Sequence, residues 1–404
     1  MANNNDKKVL NVPDLRFPEF SGKWEKLKLS DFSAKIIKKN KGNTVTNVLC
    51  NSANLGLIPQ SNYFDREIAN AENTDGYYVI DNGDFVYNPR KSTAAPFGPV
   101  NIYEGKEAGI ISPLYLCFSV HNIFPKFLYY RFKSSVWHPY VYSHGDSGVR
   151  FDRVSIKDDV FFDMPLYKPT QDEQIKIATL LQIIDERITT QNKIIEDLKK
   201  LKSAIVEMLL CNQSGESFKL GDVGCFVRGL TYANEDVTED KAATIVIRAN
   251  NLNYGSYVDK GEVVYVNKTP TVSQILRKGD IVICMANGSS ALVGKNSYYP
   301  FNDRQSTIGA FCGIYRTSNH IVKWLMQSQR YKKQVYQSLQ GGNGAIANLN
   351  GDDILNMSFP LIEKEKSQSI IFTIEAIEKS LAVNKCLHRL YCTQKSYLLK
   401  QMFI

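Results

Sequence analysis

The sequence predicts an α+β chain of two similar globular domains, separated by two long antiparallel helices that form a coiled-coil spacer with pseudo-two-fold symmetry. Segments of the first half recur in the second, each half holds short β-prone runs between turn signals, and each half ends in a long stretch without Gly or Pro. A chain of 404 residues with 43% hydrophobic residues can bury more than one core. The predicted segments are a first globular domain (1–165), a central helix (166–211), a second globular domain (212–361) and a distal helix (362–404).

The duplication is visible as four pairs of short segments that match in the same order, at offsets between 193 and 196 residues. The pairs are GDFV at 83–86 with GDIV at 279–282, DDV at 158–160 with DDI at 352–354, MPL at 164–166 with FPL at 359–361, and KS at 202–203 with KS at 395–396. Because the offset is nearly constant, we interpret the chain as one module duplicated, not as a solenoid. Runs such as TIVI at 244–247 favour short strands, so each module is expected to hold a mostly antiparallel sheet.

The two stretches without Gly or Pro have the periodicity of a coiled-coil seam, with apolar residues at alternating steps of four and three. Between Gln171 and Cys211 the seam residues are Ile177, Leu181, Ile184, Ile188, Ile195, Leu198, Ile205 and Met208. Between about Lys364 and Phe403 they are Ile370, Ile374, Ile377, Leu381, Asn384, Leu387, Tyr391 and Leu398. Each helix of roughly 37 residues would span about 55 Å.

Both seams contain an amide at matching positions, Gln191 and Asn384. One interpretation is that a polar side chain is merely tolerated near a helix end. The other is that the two amides meet when the helices pair antiparallel and fix the helix register, a known use of a buried amide in coiled coils.

Charge and composition favour an anionic partner. The net charge is +8 and the pI about 8.8, a mild excess that suits nucleic acid. The 8 cysteines include no C-x-x-C pair and there are only 5 histidines, so we expect no metal site. The polar N-terminus is not a signal peptide, and no apolar run approaches the roughly 20 residues needed to cross a bilayer. We therefore expect a cytoplasmic protein that does not contact a membrane.

Motifs of several enzyme classes are missing, and we expect no catalytic residue in this chain. Gly294-Lys295 is followed by Asn296, so it does not complete a phosphate-binding loop, and the H-E-x-x-H pattern of zinc hydrolases does not occur. Asn88-Pro89 is followed by Arg90, which breaks the N-P-P-aromatic motif of amino-methyltransferases. Two alternatives remain: a methyltransferase or nuclease with a diverged active site, and a duplicated adaptor that binds proteins.

Several segments resemble the specificity subunit of type I restriction–modification systems. VPDLRFPEF at 12–20 followed by Trp24 looks like the usual opening of that family. GDFVYNPR at 83–90 looks like part of its first recognition domain, and PLYKP at 165–169 with Glu173-Gln174 is similar to the start of its central helix. The resemblance covers nearly the whole chain.

The resemblance implies that each globular domain is a target-recognition domain, which binds one half of a split, asymmetric double-stranded DNA target. It also implies that the helices dock two methyltransferase subunits, and that restriction subunits with translocase activity join for cleavage. S-adenosylmethionine, ATP and Mg²⁺ would then be bound by those partners, and this chain would need no cofactor of its own.

Candidate DNA contacts combine guanidinium, amide and hydroxyl groups on loops. Arg can bind guanine and Asn can bind adenine in the major groove, whereas Lys and Arg bind phosphates. The candidates in the first domain are Tyr87, Asn88, Arg90, Lys91, Ser92, Ser147 and Arg150. The candidates in the second domain are Arg248, Asn250, Asn287, Ser289, Lys295, Arg304 and Gln305. The alternative for the segment around Arg90 is a solvated turn without a ligand.

Overall fold

The computed structural model confirms a mixed α+β fold with two β-rich domains and two long helices. It describes residues 11–62, 74–145, 152–212, 215–303, 305–340 and 347–404. The chain divides into two compact units. Unit 1 is Met1–Asn192 with Cys386–Ile404, and unit 2 is Lys193–Lys385, so each unit includes part of both long helices.

Unit 1 contains short strands and helices that lead into the first long helix. Its strands are β1 (Glu25–Lys28), β2 (Ser33–Lys35), β3 (Leu49–Ser52), β4 (Gly56–Pro59), β5 (Tyr78–Ile80), β6 (Phe85–Tyr87), β7 (Val100–Ile102), β8 (Gly109–Ile111), β9 (Leu116–Val120) and β10 (Pro165–Lys168). Its helices are α1 (Pro125–Lys133), α2 (His138–His144), α3 (Asp158–Phe162) and the first part of α4 (Gln171–Ile205). The main sheet has the order β2-β9-β6-β7 and is antiparallel throughout.

Unit 2 repeats this plan. Its strands are β11 (Ser217–Lys219), β12 (Gly224–Arg228), β13 (Val237–Thr238), β14 (Thr244–Ile247), β15 (Val264–Val266), β16 (Ile281–Cys284), β17 (Ala286–Asn287), β18 (Asn296–Tyr298), β19 (Ser306–Ile308), β20 (Cys312–Thr317), β21 (Ala347–Asn348) and β22 (Ser358–Pro360). Its helices are α5 (Leu220–Val223), α6 (Val322–Leu325), α7 (Gln329–Gln340), α8 (Gly351–Leu355) and the first part of α9 (Lys364–Gln401). The sheet β12-β20-β16-β18 corresponds to the main sheet of unit 1, and a second sheet has the order β13-β15-β14-β19.

The repeated Gly-Asp pair begins the central strand of both main sheets. Gly83 and Gly279 have φ values of 93° and 103°, a left-handed conformation that favours glycine. The carboxylates of Asp84 and Asp280 each accept a hydrogen bond from the backbone N–H three residues earlier. Asp280 also accepts two hydrogen bonds from the guanidinium of Arg316, at 2.8 and 2.7 Å. The duplication found in the sequence is therefore a duplication of structure.

The seam periodicity correctly predicts most of the buried residues of the long helices, although the predicted seam residue Leu387 of α9 is 37% exposed. In unit 1, Ile177 and Leu181 of α4 belong to the same core as Leu398 of α9. In unit 2, Ile195 of α4 clusters with Leu381 of α9. Because early residues of one helix meet late residues of the other, the two segments run antiparallel within each unit.

The prediction that Met208 continues the seam is wrong, since its side chain is 65% exposed. The α-helix gives way to a π-helical turn at Val206–Cys211. One extra residue per turn rotates the following side chains around the helix axis. Val206 and Leu210 are consequently buried in place of Met208.

Candidate nucleic-acid interface

Three predicted residues of the second domain converge on one groove. Arg248, Asn250 and Asn287 line a cavity of about 590 Å³, together with Asn234 and Phe311. None of the described residues that line this groove is Asp or Glu. One guanidinium and several amides without a carboxylate suit the bases and phosphates of nucleic acid.

A buried amide fixes the turn that carries Arg248 and Asn250. The backbone N–H of Arg248 donates to Oδ1 of Asn251 at 2.9 Å. Nδ2 of Asn251 donates to the carbonyl oxygens of Asp259 and Glu262, both at 2.9 Å. Asn251 is buried, whereas the side chains of Arg248 and Asn250, which precede it, are exposed. The turn thus presents two hydrogen-bonding side chains from a fixed backbone.

The opposite wall of the groove follows β16. Oδ1 of Asn287 accepts a hydrogen bond from the backbone N–H of Ser289 at 3.0 Å, which closes a tight turn. Cys312 lines the groove and is buried. Burial raises the pKa of the Cys312 thiol to about 12, so this part of the groove is uncharged at neutral pH.

In the first domain, the loop after β6 is held by a segment that is distant in the sequence. The backbone N–H of Lys91 donates to the carbonyl oxygen of Asp152 at 2.8 Å. Arg90 and Arg153 are partners in an antiparallel bridge. The side chains of Arg90, Lys91 and Ser92 are exposed, as expected of a contact segment.

Arg153 was not among the predicted residues. Its Nε atom lies 4.0 Å from a carboxylate oxygen of Asp152, a weak ion pair. Two arginines on paired positions of such a bridge repel each other, and a bound anion would offset that repulsion. The sequence carries no local signal for Arg153, because the bridge to Arg90 joins residues far apart in the chain.

One residue predicted to contact DNA has a structural role in the first domain, and we correct this prediction. Tyr87 is buried in the core, where its ring stacks on Phe161 at 4.6 Å between centroids and its hydroxyl donates to the carbonyl oxygen of Phe97 at 2.9 Å. Asn88 is half-buried, and its Oδ1 accepts a hydrogen bond from the backbone N–H of Arg90 at 3.0 Å, as Oδ1 of Asn287 does from Ser289. A DNA contact by Asn88 stays a prediction.

The remaining second-domain candidates lie outside the groove. Nε2 of Gln305 donates to the carbonyl oxygens of Lys241 and Ala243, at 3.1 and 2.6 Å, so Gln305 stabilises the backbone beside β14. Lys295 is half-buried, with its Nζ 5.9 Å from the centroid of the Tyr254 ring. Ser289 is exposed and contributes its backbone to the turn at Asn287.

Three further candidates, Ser147, Arg150 and Arg304, lie outside the described residues. Gln191 is buried, and Nδ2 of Asn384 donates to the carbonyl oxygen of Ser380, one turn earlier in α9, at 2.7 Å. The role of Gln191 and Asn384 in helix register stays a prediction.

Within the described ranges, no group of three or more His, Cys, Asp or Glu side chains is placed to hold a metal ion. No helix within those ranges is both long and apolar enough to span a membrane.

Known proteins similar to this chain include two curated relatives. The specificity subunits of the type I restriction enzymes EcoKI of Escherichia coli (strain K12) and StySPI of Salmonella potsdam are 31% and 30% identical to it, over 155 and 154 residues. Each match covers 36% of this chain and 32% of the relative, so the chain spans about a third of the length of the curated relatives it matches. No protein-family profile matches the chain.

The fold recurs in a solved structure, the type I restriction–modification S subunit of M. genitalium. The two share a TM-score of 0.57 at 13% identity, over 97% of this chain and 99% of that one. The chain is thus similar to type I restriction–modification specificity subunits in sequence over about a third of its length, and in fold over nearly all of it. Its two compact units are the domains that carry the candidate DNA contacts.

The residues that carry the resemblance anchor the start of the central helix. The fully buried carboxylate of Glu173 accepts hydrogen bonds from Nε and Nη2 of Arg16, both at 2.7 Å, and from Nε1 of Trp24 at 3.3 Å. Oε1 of Gln174 accepts from the backbone N–H of Phe124 at 2.8 Å. The opening segment and the helix therefore form one structural element.

Proposed function

We propose that this chain is the sequence-specific DNA-binding subunit of a type I restriction–modification complex in the cytoplasm. Each domain recognises one half of a bipartite, asymmetric target in double-stranded DNA. The chain carries no active site. Two methyltransferase subunits and the restriction subunits bind S-adenosylmethionine, ATP and Mg²⁺ and perform the chemistry.

The groove of the second domain carries this proposal. Arg248 and Asn250 come from one turn and Asn287 from another, and all three line the groove with exposed or half-buried side chains. A guanidinium matches the O6 and N7 acceptors of guanine, and an amide matches N6 and N7 of adenine. In the first domain, Arg90 and Lys91 follow β6, the strand equivalent to β16, and supply positive charge for the phosphate backbone.

Exposed apolar side chains on the long helices support docking of the methyltransferase subunits. In unit 1, Ile175 and Ile183 of α4 line a shallow apolar cavity of about 470 Å³ beside Phe17. In unit 2, Phe372 of α9 is exposed. An apolar helix face that does not belong to the intramolecular seam is a typical surface for another subunit.

The proposal is tested by DNA binding of Arg248→Ala with Arg277→Ala as the matched control. Arg277 is also exposed but lies just before β16, at the opposite end of that strand from the groove. Loss of a guanine contact should weaken binding to the target duplex by about 1–3 kcal/mol and leave binding to unrelated duplexes nearly unchanged. Arg277→Ala should leave both affinities close to wild type.

Equal losses on target and unrelated DNA would remove Arg248 as a base-specific contact. If wild-type affinity does not fall as salt rises, the chain does not bind phosphates and an adaptor that binds proteins becomes the better account. Calorimetry with S-adenosylmethionine tests the enzyme alternative, because the isolated chain should show no binding heat.

A further inference from the structure

Phe311 is the most exposed apolar side chain of the second-domain groove. It is 72% exposed, although single exposed apolar residues are common and need no function by themselves. Its carbonyl oxygen accepts hydrogen bonds from the backbone N–H groups of Met285 and Ala286, at 2.8 and 3.3 Å. The turn between β19 and β20 therefore fixes the backbone of Phe311 beside the side chains proposed to bind bases.

The first domain has an apolar residue, Leu114, at the matching position of the turn before β9. Phe85 pairs with Phe118 across β6 and β9, and Ile281 pairs with Tyr315 across β16 and β20. Phe85 and Ile281 are equivalent, because each follows the repeated Gly-Asp pair. Four residues before Phe118 is Leu114, and four residues before Tyr315 is Phe311.

Leu114 shares the exposure of Phe311 as well as its register position. It is 67% exposed and lines a cavity of about 410 Å³ with Pro89 and Arg153. Among the described residues that line this cavity, the one carboxylate is that of Asp158, which pairs with Lys35 at 2.5 Å. Each domain therefore places one large apolar side chain near an arginine, at the turn before the same strand. The two sequences differ at nearly every neighbouring position, so the shared exposure points to a shared ligand feature.

We propose that Leu114 and Phe311 each contact the C5-methyl group of a thymine in the half-site that their domain recognises. The inference rests on the proposed function, since it names one base that each domain selects. The thymine methyl is the one apolar group that base edges present in the major groove, and Phe and aliphatic side chains recognise it by contact. Hydrogen-bonding side chains nearby would bind the neighbouring bases, and the apolar side chain adds a contact with the methyl group that they cannot make.

The test uses the full chain and target duplexes enriched from a randomised pool. Each thymine of the target is replaced singly by deoxyuridine, which keeps the hydrogen-bonding edge and lacks only the methyl group. For wild type we expect one position in each half-site to lose affinity about three- to tenfold, the size expected for one buried methyl group. Phe311→Ala should abolish the loss in one half-site only, and Leu114→Ala in the other.

Val272→Ala is the matched control, because Val272 is 76% exposed and lies before β16, away from the groove. It should retain both sensitive positions. The inference is overturned if a half-site contains no thymine, or if neither variant changes the response to deoxyuridine. It is also overturned if Phe311→Ala weakens every duplex equally, as for a side chain that wedges between bases. A pool that yields no enriched sequence would instead contradict the proposed function itself, and the inference with it.

Discussion

The buried ion pair at the start of the central helix gives a prediction whose size follows from the structure. Glu173 is fully buried, and Arg16 supplies two of the three hydrogen bonds described for its carboxylate. Arg16→Met leaves that charge buried, with Nε1 of Trp24 at 3.3 Å as its remaining described donor. Breaking one side of a buried ion pair costs about 3–5 kcal/mol of unfolding free energy.

The assay is urea denaturation followed by tryptophan fluorescence, because Trp24 and Trp137 both lie in unit 1. Lys176→Met is the matched control, since Lys176 pairs with Glu19 on the surface of the same region, where a pair is worth about 0–1 kcal/mol. Arg16→Met with Glu173→Leu should recover part of the loss, because no buried charge remains.

A loss below about 1 kcal/mol for Arg16→Met would refute this reasoning, since it would equal the effect of a surface pair. A double variant no more stable than Arg16→Met would refute it too. The cost would then come from lost side-chain contacts and not from an unpaired charge.

Three further predictions concern pH, docking and helix register. Burial raises the pKa of Asp84 from 3.8 to about 6, because the folded state favours the protonated carboxyl. The stability that this protonated carboxyl contributes is fully present below pH 4 and is lost as pH rises through 6. Asp84→Asn should therefore stabilise the protein above pH 6 by on the order of 1 kcal/mol, after discounting for partial exposure, whereas Asp280→Asn should destabilise it, as denaturation at several pH values would show. Ile183→Asp should reduce co-purification of the methyltransferase subunit without changing the DNA target; unchanged recovery would argue against this docking surface. Gln191→Leu combined with Asn384→Leu should keep stability but broaden the register, so an unaltered pattern of crosslinks between engineered cysteines would count against the predicted role.

Helices and the duplication could be predicted because their signals are local or repeat along the chain. An uninterrupted period of four and three residues identifies α4 and α9 and most of their buried residues. The Gly-Asp pair marks an obligatory turn with positive φ, so it persists in both copies even though the strands that follow it differ. The prediction that Met208 is buried was wrong, because a π-helical turn changes the helical period without any sequence signature.

Site residues were harder to predict, because exposure depends on contacts that are distant in the sequence. Tyr87 lies in β6, a strand whose three residues are all buried. The sequence of such a strand does not alternate between apolar and polar residues, so it did not show that Tyr87 is buried. Arg153 reaches this loop through the bridge to Arg90, a residue far away in the sequence. Phe311 is exposed because it lies on the turn directly before β20, and the sequence around it does not mark that turn. Arg248 and Asn250 could be predicted because they follow a clear strand and bear the chemistry that DNA requires.

The central claim is that two related domains recognise two separate DNA half-sites. The most direct measurement compares the duplex sequences that wild type, Arg90→Ala and Arg248→Ala enrich from a randomised pool. For wild type we expect two short specified blocks with an unspecified gap, with Arg90→Ala relaxing one block and Arg248→Ala the other. A single continuous block, or both variants relaxing the same block, would contradict the account.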